Sequence, residues 1–254
     1  MSGYGDFSAV YDSLTDNVEY EKRARYIHGL LKQGGVDGGL LLDLACGTGR
    51  LSCEMAKLGY EVIGVDASGD MLSVAQNNAA EQGVDILFLC QQMQALDLFG
   101  TVRGTICTLD SINHLTDPED VRKTFAGVSL FTEPGGLFVF DVNTPCKHRE
   151  ILANNTFVYD TDEVYCVWQN TLDPATDTVT IDLDIFEQDE DGAYWRAQES
   201  FCERAYSAQD LTDWLTEAGF ENVKIFEELT TNEPKPDAQR WFFTARKKLS
   251  TWAD

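Results

Sequence analysis

The stretch Leu40-Leu41-Leu42-Asp43-Leu44-Ala45-Cys46-Gly47-Thr48-Gly49-Arg50 constrains this chain more than any other. An apolar run of strand length passes straight into a glycine-rich turn, and Leu51, Met55 and Leu58 then recur at helical spacing. Asp66 follows Asp43 by twenty-three residues and closes a second strand-like run, residues 60–65. A strand, a turn of small residues, a helix and then an acid at the end of the next strand is the order of a nucleotide-type cofactor site on a parallel sheet. Small residues let the backbone approach the ligand, and the second acid holds a ribose by its hydroxyls. A glycine turn that only capped a buried strand would leave the positions of Asp43 and Asp66 without a reason.

Composition narrows what such a site serves. The net charge of −24 excludes a phosphate backbone as the expected partner, because nucleic acid is bound chiefly by positive surface, and it disfavours an anionic membrane. The only dense basic patch is Arg246-Lys247-Lys248. The acidic field suits a neutral or cationic small molecule, or serves solubility alone. No eighteen-residue apolar run marks a membrane span, and the start Met1–Asp6 lacks the basic and apolar parts of a secretory signal. The seven cysteines show no C-x-x-C and no zinc spacing with histidine, the pattern of reduced thiols in a cytoplasmic protein without a metal site. A small-molecule acceptor is the expected partner, and the chain is expected to be a monomer or a homodimer.

Strand and helix signals alternate through the first 150 residues. Strands are expected at 40–45, 60–66, 85–90, 105–109 and 137–142, the last after the turn Pro134-Gly135-Gly136. Helices are expected before Gly34-Gly35, after Gly49, from the cap Ser68 to about Gly83, and from Asp117-Pro118. This rhythm implies a parallel sheet covered by helices on both faces. It breaks at 156–204, where Thr178–Ile185 alternates apolar and polar side chains as an antiparallel strand with one wet face does. Between Ile151 and Glu203 stand thirteen Asp or Glu against one Arg, about half of the net charge. Residues 1–150 are therefore read as the cofactor core with its N-terminal helical segment, 151–204 as an antiparallel β insertion or lid, and 205–254 as the completion of the core. Ser207 caps that last part's helix, and 223–227 with 240–245 form a closing strand pair.

The spelling of the turn is specific. A dinucleotide fingerprint asks for G-x-G-x-x-G, and the third position here is Ser52. Asp43-x-Ala45-Cys46-Gly47-Thr48-Gly49 instead resembles the cofactor loop of class I S-adenosylmethionine (SAM)-dependent methyltransferases. Phe7–Asp12 is similar to the opening of the bacterial small-molecule subgroup, and Asp110-Ser111-Ile112-Asn113-His114-Leu115 to its segment after the fourth strand. Glu203–Ser207 and Ala218–Phe220 resemble its return to the core. The resemblance covers nearly the whole chain and is weakest across 151–200. It implies a Rossmann-like seven-stranded, mostly parallel sheet with one antiparallel strand near its end.

The resemblance also implies roles. Ala45, Cys46, Gly47 and Gly49 meet the amino-acid end of SAM. Asp43 orients the loop or binds the ammonium, and Asp66 takes both ribose hydroxyls. Ala67, Met71, Gln92 and Met93 surround the adenine, Gln92 standing where the family often has an acid. Asp110 and Ser111 lie beside the transferring methyl, and Tyr11 closes over the sulfonium. Arg103 replaces the acid that usually starts the fourth strand. His114 replaces a common Tyr and is a candidate base, since imidazole changes charge near neutral pH. His148 and Arg149, after the fifth strand, are candidates for contact with the acceptor. The function expected is methyl transfer from SAM to N or O of a small molecule, with S-adenosylhomocysteine as product. An RNA or protein methyltransferase, a nicotinamide- or flavin-dependent oxidoreductase and a non-catalytic SAM-binding protein are the alternatives.

Overall fold

The computed structural model of the protein describes residues 18–161, 164–188 and 192–249. Along the chain, α1 (Tyr20–Gln33) leads into β1 (Gly39–Leu44), α2 (Arg50–Lys57), β2 (Tyr60–Asp66), α3 (Gly69–Gln82), β3 (Ile86–Cys90), β4 (Val102–Cys107), α4 (Pro118–Phe131) and β5 (Thr132–Asn143). Four strands follow: β6 (Thr156–Asp160), β7 (Val164–Asp173), β8 (Thr178–Gln188) and β9 (Tyr194–Arg204). Helix α5 (Ala208–Glu217), β10 (Phe220–Glu227) and β11 (Arg240–Lys247) complete the order.

Seven strands form one sheet in the order β10-β11-β5-β4-β1-β2-β3. All run parallel except β11, which is antiparallel to both β5 and β10. The chain moves outward from β1 to β3 and then crosses back to β4 on the other side of β1. The carboxyl ends of β1 and β4 therefore flank the switch point at which open α/β sheets bind ligands. Apolar runs bury both faces. On one face Phe125 of α4 packs with Phe138, Phe140 and Phe243, and the Phe140 and Phe243 rings stack at 4.8 Å. On the other, Ile27 and Leu31 of α1 and Met55 of α2 meet Leu41, Ile106 and Phe242. Burying each such side chain stabilises by about 1.5–3 kcal/mol.

The helix caps are those the sequence predicts. Ser68 accepts from the Met71 N–H, Asp117 from Glu119 N–H and Ser207 from Asp210 N–H. Several strand ends differ from the expected ranges by one to five residues, and two of them have a backbone cause. β4 ends at Cys107 rather than 109, because Leu109 and Asp110 both adopt φ of 57°, where a strand cannot continue. β5 begins at Thr132, so Pro134–Gly136 lies inside it and not ahead of it. A register shift against β4 absorbs the irregularity, and a Cβ on Gly136 would stand 2.7 Å from the Arg103 carbonyl.

β6 to β9 form a separate antiparallel meander between β5 and α5. The alternation in β8 sends Val179, Ile181, Leu183 and Ile185 inward, where they pack with Leu152 and with Met71 of α3. Asp182 and Asp184 face outward, and Asp184 pairs with Arg196 at 2.5 Å. Among the described residues no helix is long and apolar enough to cross a membrane.

Candidate active site

The turn after β1 is made of left-handed backbone: Ala45, Gly47 and Gly49 have φ of 58°, 54° and 71°. The Cys46 N–H donates to the Val65 carbonyl and the Gly49 N–H to the Cys46 carbonyl, both at 3.0 Å, so the loop is tied to β2 and folded on itself. A Cβ on Gly49 would lie 2.9 Å from the Ala75 Cβ, so glycine lets α3 close under the loop. At Gly47 a Cβ would meet nothing within 4 Å. The loop is therefore open at Gly47, with space for a ligand to approach the backbone.

Asp66 is half-buried at the end of β2. Its Oδ2 accepts from the Gly47 N–H at 2.8 Å and its Oδ1 from the Ser68 N–H at 2.9 Å. The carboxylate keeps acceptor capacity beyond these bonds for a neighbouring hydroxyl. Burial pushes this carboxyl up, against the N–H groups of Ser68, Gly47 and Ala67 and the charge of His114. Asp43 is buried on β1 and accepts from the Ser52 hydroxyl. Burial raises it to about 7, with Ser52 opposing and Asp66 reinforcing the shift. A cation placed beside Asp43 would restore its ionisation. The open loop thus offers backbone groups, and Asp43 and Asp66 acceptor oxygens, at the carboxyl ends of β1 and β2.

Across the switch point, the ends of β4 and β5 carry a buried polar network. The chain turns at Asp110 into the short turn Ser111–His114. The Asp110 N–H donates to Asp141 Oδ1 at 3.0 Å, and its carboxylate accepts from Asn143 Nδ2 and Arg240 Nη2, each at 2.8 Å. Asp141, fully buried, also holds Arg23 Nη1 at 2.8 Å and Arg240 Nη1 at 3.2 Å. Burial alone would raise Asp110. Arg240, Lys147 and His114 outweigh it and hold this carboxyl well below the usual carboxylate range. Lys147 Nζ donates to Asn143 Oδ1 at 2.9 Å, and burial, then Arg240, push its pKa down.

The antiparallel sheet reaches the same network. Glu203, 3% exposed at the end of β9, accepts through Oε2 from Asn143 Nδ2 at 3.0 Å. Its Oε2 lies 3.7 Å from His148 Nε2 and its Oε1 3.9 Å from His114 Nε2. The His114 ring packs on Phe201 of β9, centroids 5.2 Å apart. Among the described residues no cluster of three or more metal-ligating side chains forms.

Of the residues singled out from sequence, Asp43, Ala45, Cys46, Gly47, Gly49 and Asp66 converge on the loop. Asp110, Ser111 and His114 share the adjacent turn. Ala67 and Gln92 are exposed at the ends of β2 and β3, and Met93 is half-buried with its Sδ 3.9 Å from the Cys107 Sγ. Met71 is placed otherwise: 5% exposed, it packs into the antiparallel sheet's apolar cluster. His148 is fully buried with Nδ1 2.9 Å from the Asp177 carbonyl. Arg149 is exposed and makes two 2.6 Å bonds to Asp177, away from the network. Arg103 is exposed at the start of β4, near the Gly35 carbonyl. Tyr11 lies outside the described residues.

The sequence assigns no site role to Arg23, Ser52, Asp141, Asn143, Lys147, Glu203 or Arg240. Asp141 and Asn143 carried a signal, as polar residues interrupting an apolar strand at its carboxyl end. Glu203 falls on the inward face of β9, opposite Val179. Arg23 and Arg240 had none, because only the fold brings α1 and β11 to Asp141.

Residues 41–136 match the family model described as a methyltransferase domain. The chain is 33% identical over 245 residues to a protein named as a methyltransferase, GWCH70_2453 of Geobacillus sp. (strain WCH70), spanning 96% of this chain and 99% of that one. It is 32% identical over 245 residues to YqeM of Bacillus subtilis (strain 168), also named as a methyltransferase, spanning 96% and 97%. A solved S-adenosylmethionine-dependent methyltransferase from Clostridium acetobutylicum ATCC 824 superposes with a TM-score of 0.88 at 29% identity, over 97% of this chain and 100% of that one.

Proposed function

Because the chain belongs to the SAM-dependent methyltransferases, we propose that it moves the SAM methyl group to a nitrogen or oxygen of a small-molecule acceptor. The observation that carries the acceptor half is the buried network of Asp110, Asn143 and Glu203 where the parallel and antiparallel sheets meet. Side chains so enclosed suit a small ligand that enters among them better than the surface of a polymer. The net charge of −24 supports the same reading against RNA. The seven cysteines, all free thiols, support a cytoplasmic location.

In this reading Asp66 takes the ribose hydroxyls through its carboxylate, and the backbone of Ala45–Gly49 meets the amino-acid end. Asp43 faces the ammonium, and Ala67, Gln92 and Met93 border the adenine. Asp110 and Ser111 stand beside the methyl group. Bound SAM supplies a methyl already activated on a sulfonium. The protein's share is alignment, which in favourable cases supplies about 7–11 kcal/mol. His114 is the group placed to accept the acceptor's proton. His148, being buried, acts through Glu203, and Arg149 serves to anchor residues 147–152 to the turn at Asp177.

The test is to incubate the enzyme with methyl-labelled SAM and separate low-mass metabolites, RNA and protein from a cell extract. Label in a low-mass amine or hydroxyl compound is the expected result. Label confined to RNA or protein would overturn the small-molecule assignment, and no label in any fraction would favour a non-catalytic SAM-binding protein.

A further inference from the structure

We propose that Glu203, delivered by the antiparallel sheet, is a positioning residue that keeps a hydrogen on His114 Nε2 and leaves the Nδ1 lone pair free for the acceptor's proton. This rests on the reading that the chain methylates a nitrogen or oxygen. Three observations carry it. First, Glu203 is almost fully buried, yet its carboxylate, with about four acceptor sites, takes one hydrogen bond, from Asn143. A buried carboxylate so thinly satisfied is costly unless further donors face it.

Second, both of its oxygens face imidazole nitrogens. His148 Nδ1 lies 2.9 Å from the Asp177 carbonyl, which can only accept, so Nδ1 carries the hydrogen. His148 Nε2 is buried without a hydrogen-bond partner, 3.7 Å from Glu203 Oε2. In the neutral ring Nε2 then holds the lone pair and, 3.7 Å away, gives Glu203 no hydrogen, so His114 is the imidazole left to donate to the carboxylate, through Oε1. Third, His114 Nε2 is 3.9 Å from Oε1, its ring is held against Phe201, and its side chain is 33% exposed where the others are closed. Asp110, from which the turn carrying His114 starts, bonds Asn143 and Arg240, so the imidazole adjoins the acceptor side of the site. Catalytic hydrogen bonds that are long in an empty site often shorten in the complex, and the proposal requires that of the Glu203–His114 pair.

The chemistry balances with these groups. The acceptor's nitrogen or oxygen forms a bond to the methyl carbon as the carbon–sulfur bond breaks, and that electron pair stays on sulfur. The acceptor's proton passes to His114 Nδ1. Glu203 takes no proton from the acceptor; it fixes the tautomer and stabilises the imidazolium, the division of labour of a carboxylate–imidazole pair in acyl transfer.

The chain has three histidines, so the tautomers can be read directly in a protein labelled with ¹⁵N-histidine. Two-bond proton–nitrogen spectra are recorded with S-adenosylhomocysteine bound, at a pH where the imidazoles are neutral, with His28→Gln to assign the signal of the remote ring. His114 is expected as the Nε2–H tautomer. In Glu203→Gln, Asn143 keeps the amide oxygen, which turns the NH₂ toward His114, so the hydrogen moves to Nδ1. Label transfer to the low-mass fraction is then expected to fall by about 10²–10⁴-fold, with S-adenosylhomocysteine binding unchanged. A wild-type His114 found as Nδ1–H, or a folded Glu203→Gln that keeps Nε2–H, would overturn the proposal. If that variant fails to fold, the wild-type spectrum still decides. An Nε2–H tautomer in a protein that methylates only a polymer would leave the positioning role standing and sink the acceptor reading alone.

Discussion

Asp43 shows what a single residue contributes and costs. Its carboxyl sits in a dry strand with the Ser52 hydroxyl as its partner, and burial raises it from 3.8 to about 7. An acid raised on folding binds its proton more tightly in the native state. Its contribution is therefore fully present below pH 3.8 and lost as pH rises through about 7. Asp43→Asn removes this dependence. Denaturant unfolding across that window should show a smaller fall in stability for the variant than for the wild type, and identical profiles would remove the assignment. At Asp66 the expected loss is in binding. Asp66→Ala should weaken SAM at least about tenfold by calorimetry, since charge-assisted hydrogen bonds contribute about 1.5–3 kcal/mol each. An unchanged affinity would exclude the ribose role. These two acids were legible in sequence because a short local order placed them: strand, glycine turn, helix, strand. The network around Asp141 was not, because Arg23, Arg240, Asn143 and Glu203 come from four separate elements that only the closed sheet brings together.

At the scale of elements, the helix starts were readable because Ser68, Asp117 and Ser207 each cap locally. The ends of β4 and the start of β5 were not. Leu109 and Asp110 take left-handed backbone to enter the turn Ser111–His114, and nothing in an apolar run announces that. Met71 illustrates a different difficulty. Helical spacing puts it on the inward face of α3, yet the partner on that face is the antiparallel sheet, whose nearest strand, β6, starts 85 residues further along the chain. Met71→Ala should therefore destabilise the fold by about 2–5 kcal/mol. Hydrogen exchange should rise first in β7 and β8, with SAM affinity little changed. Loss of SAM binding without faster exchange in those strands would return Met71 to the adenine side.

On the scale of the whole molecule, the alternation of strands and helices implied the parallel sheet, and the break after residue 155 implied the antiparallel one. What periodicity does not carry is how the two sheets meet, and that junction is where Glu203 joins Asn143 and the two histidines. The acidic second sheet and the buried acids at its edge give the molecule a field suited to neutral or cationic acceptors. The central claim is an adenosyl site at the switch point of the parallel sheet, and thermal unfolding with SAM, S-adenosylhomocysteine, NADH or no ligand tests it most directly. A ligand at a hundred times its Kd stabilises by about 2.7 kcal/mol, a rise in Tm of roughly 5–10 °C for a chain of this size. A rise with both adenosyl ligands, none with NADH, and a rise cut to about half or less with the adenosyl ligands in Asp66→Ala is the predicted result. A rise with NADH alone, or no rise with any of the three ligands, would contradict the account.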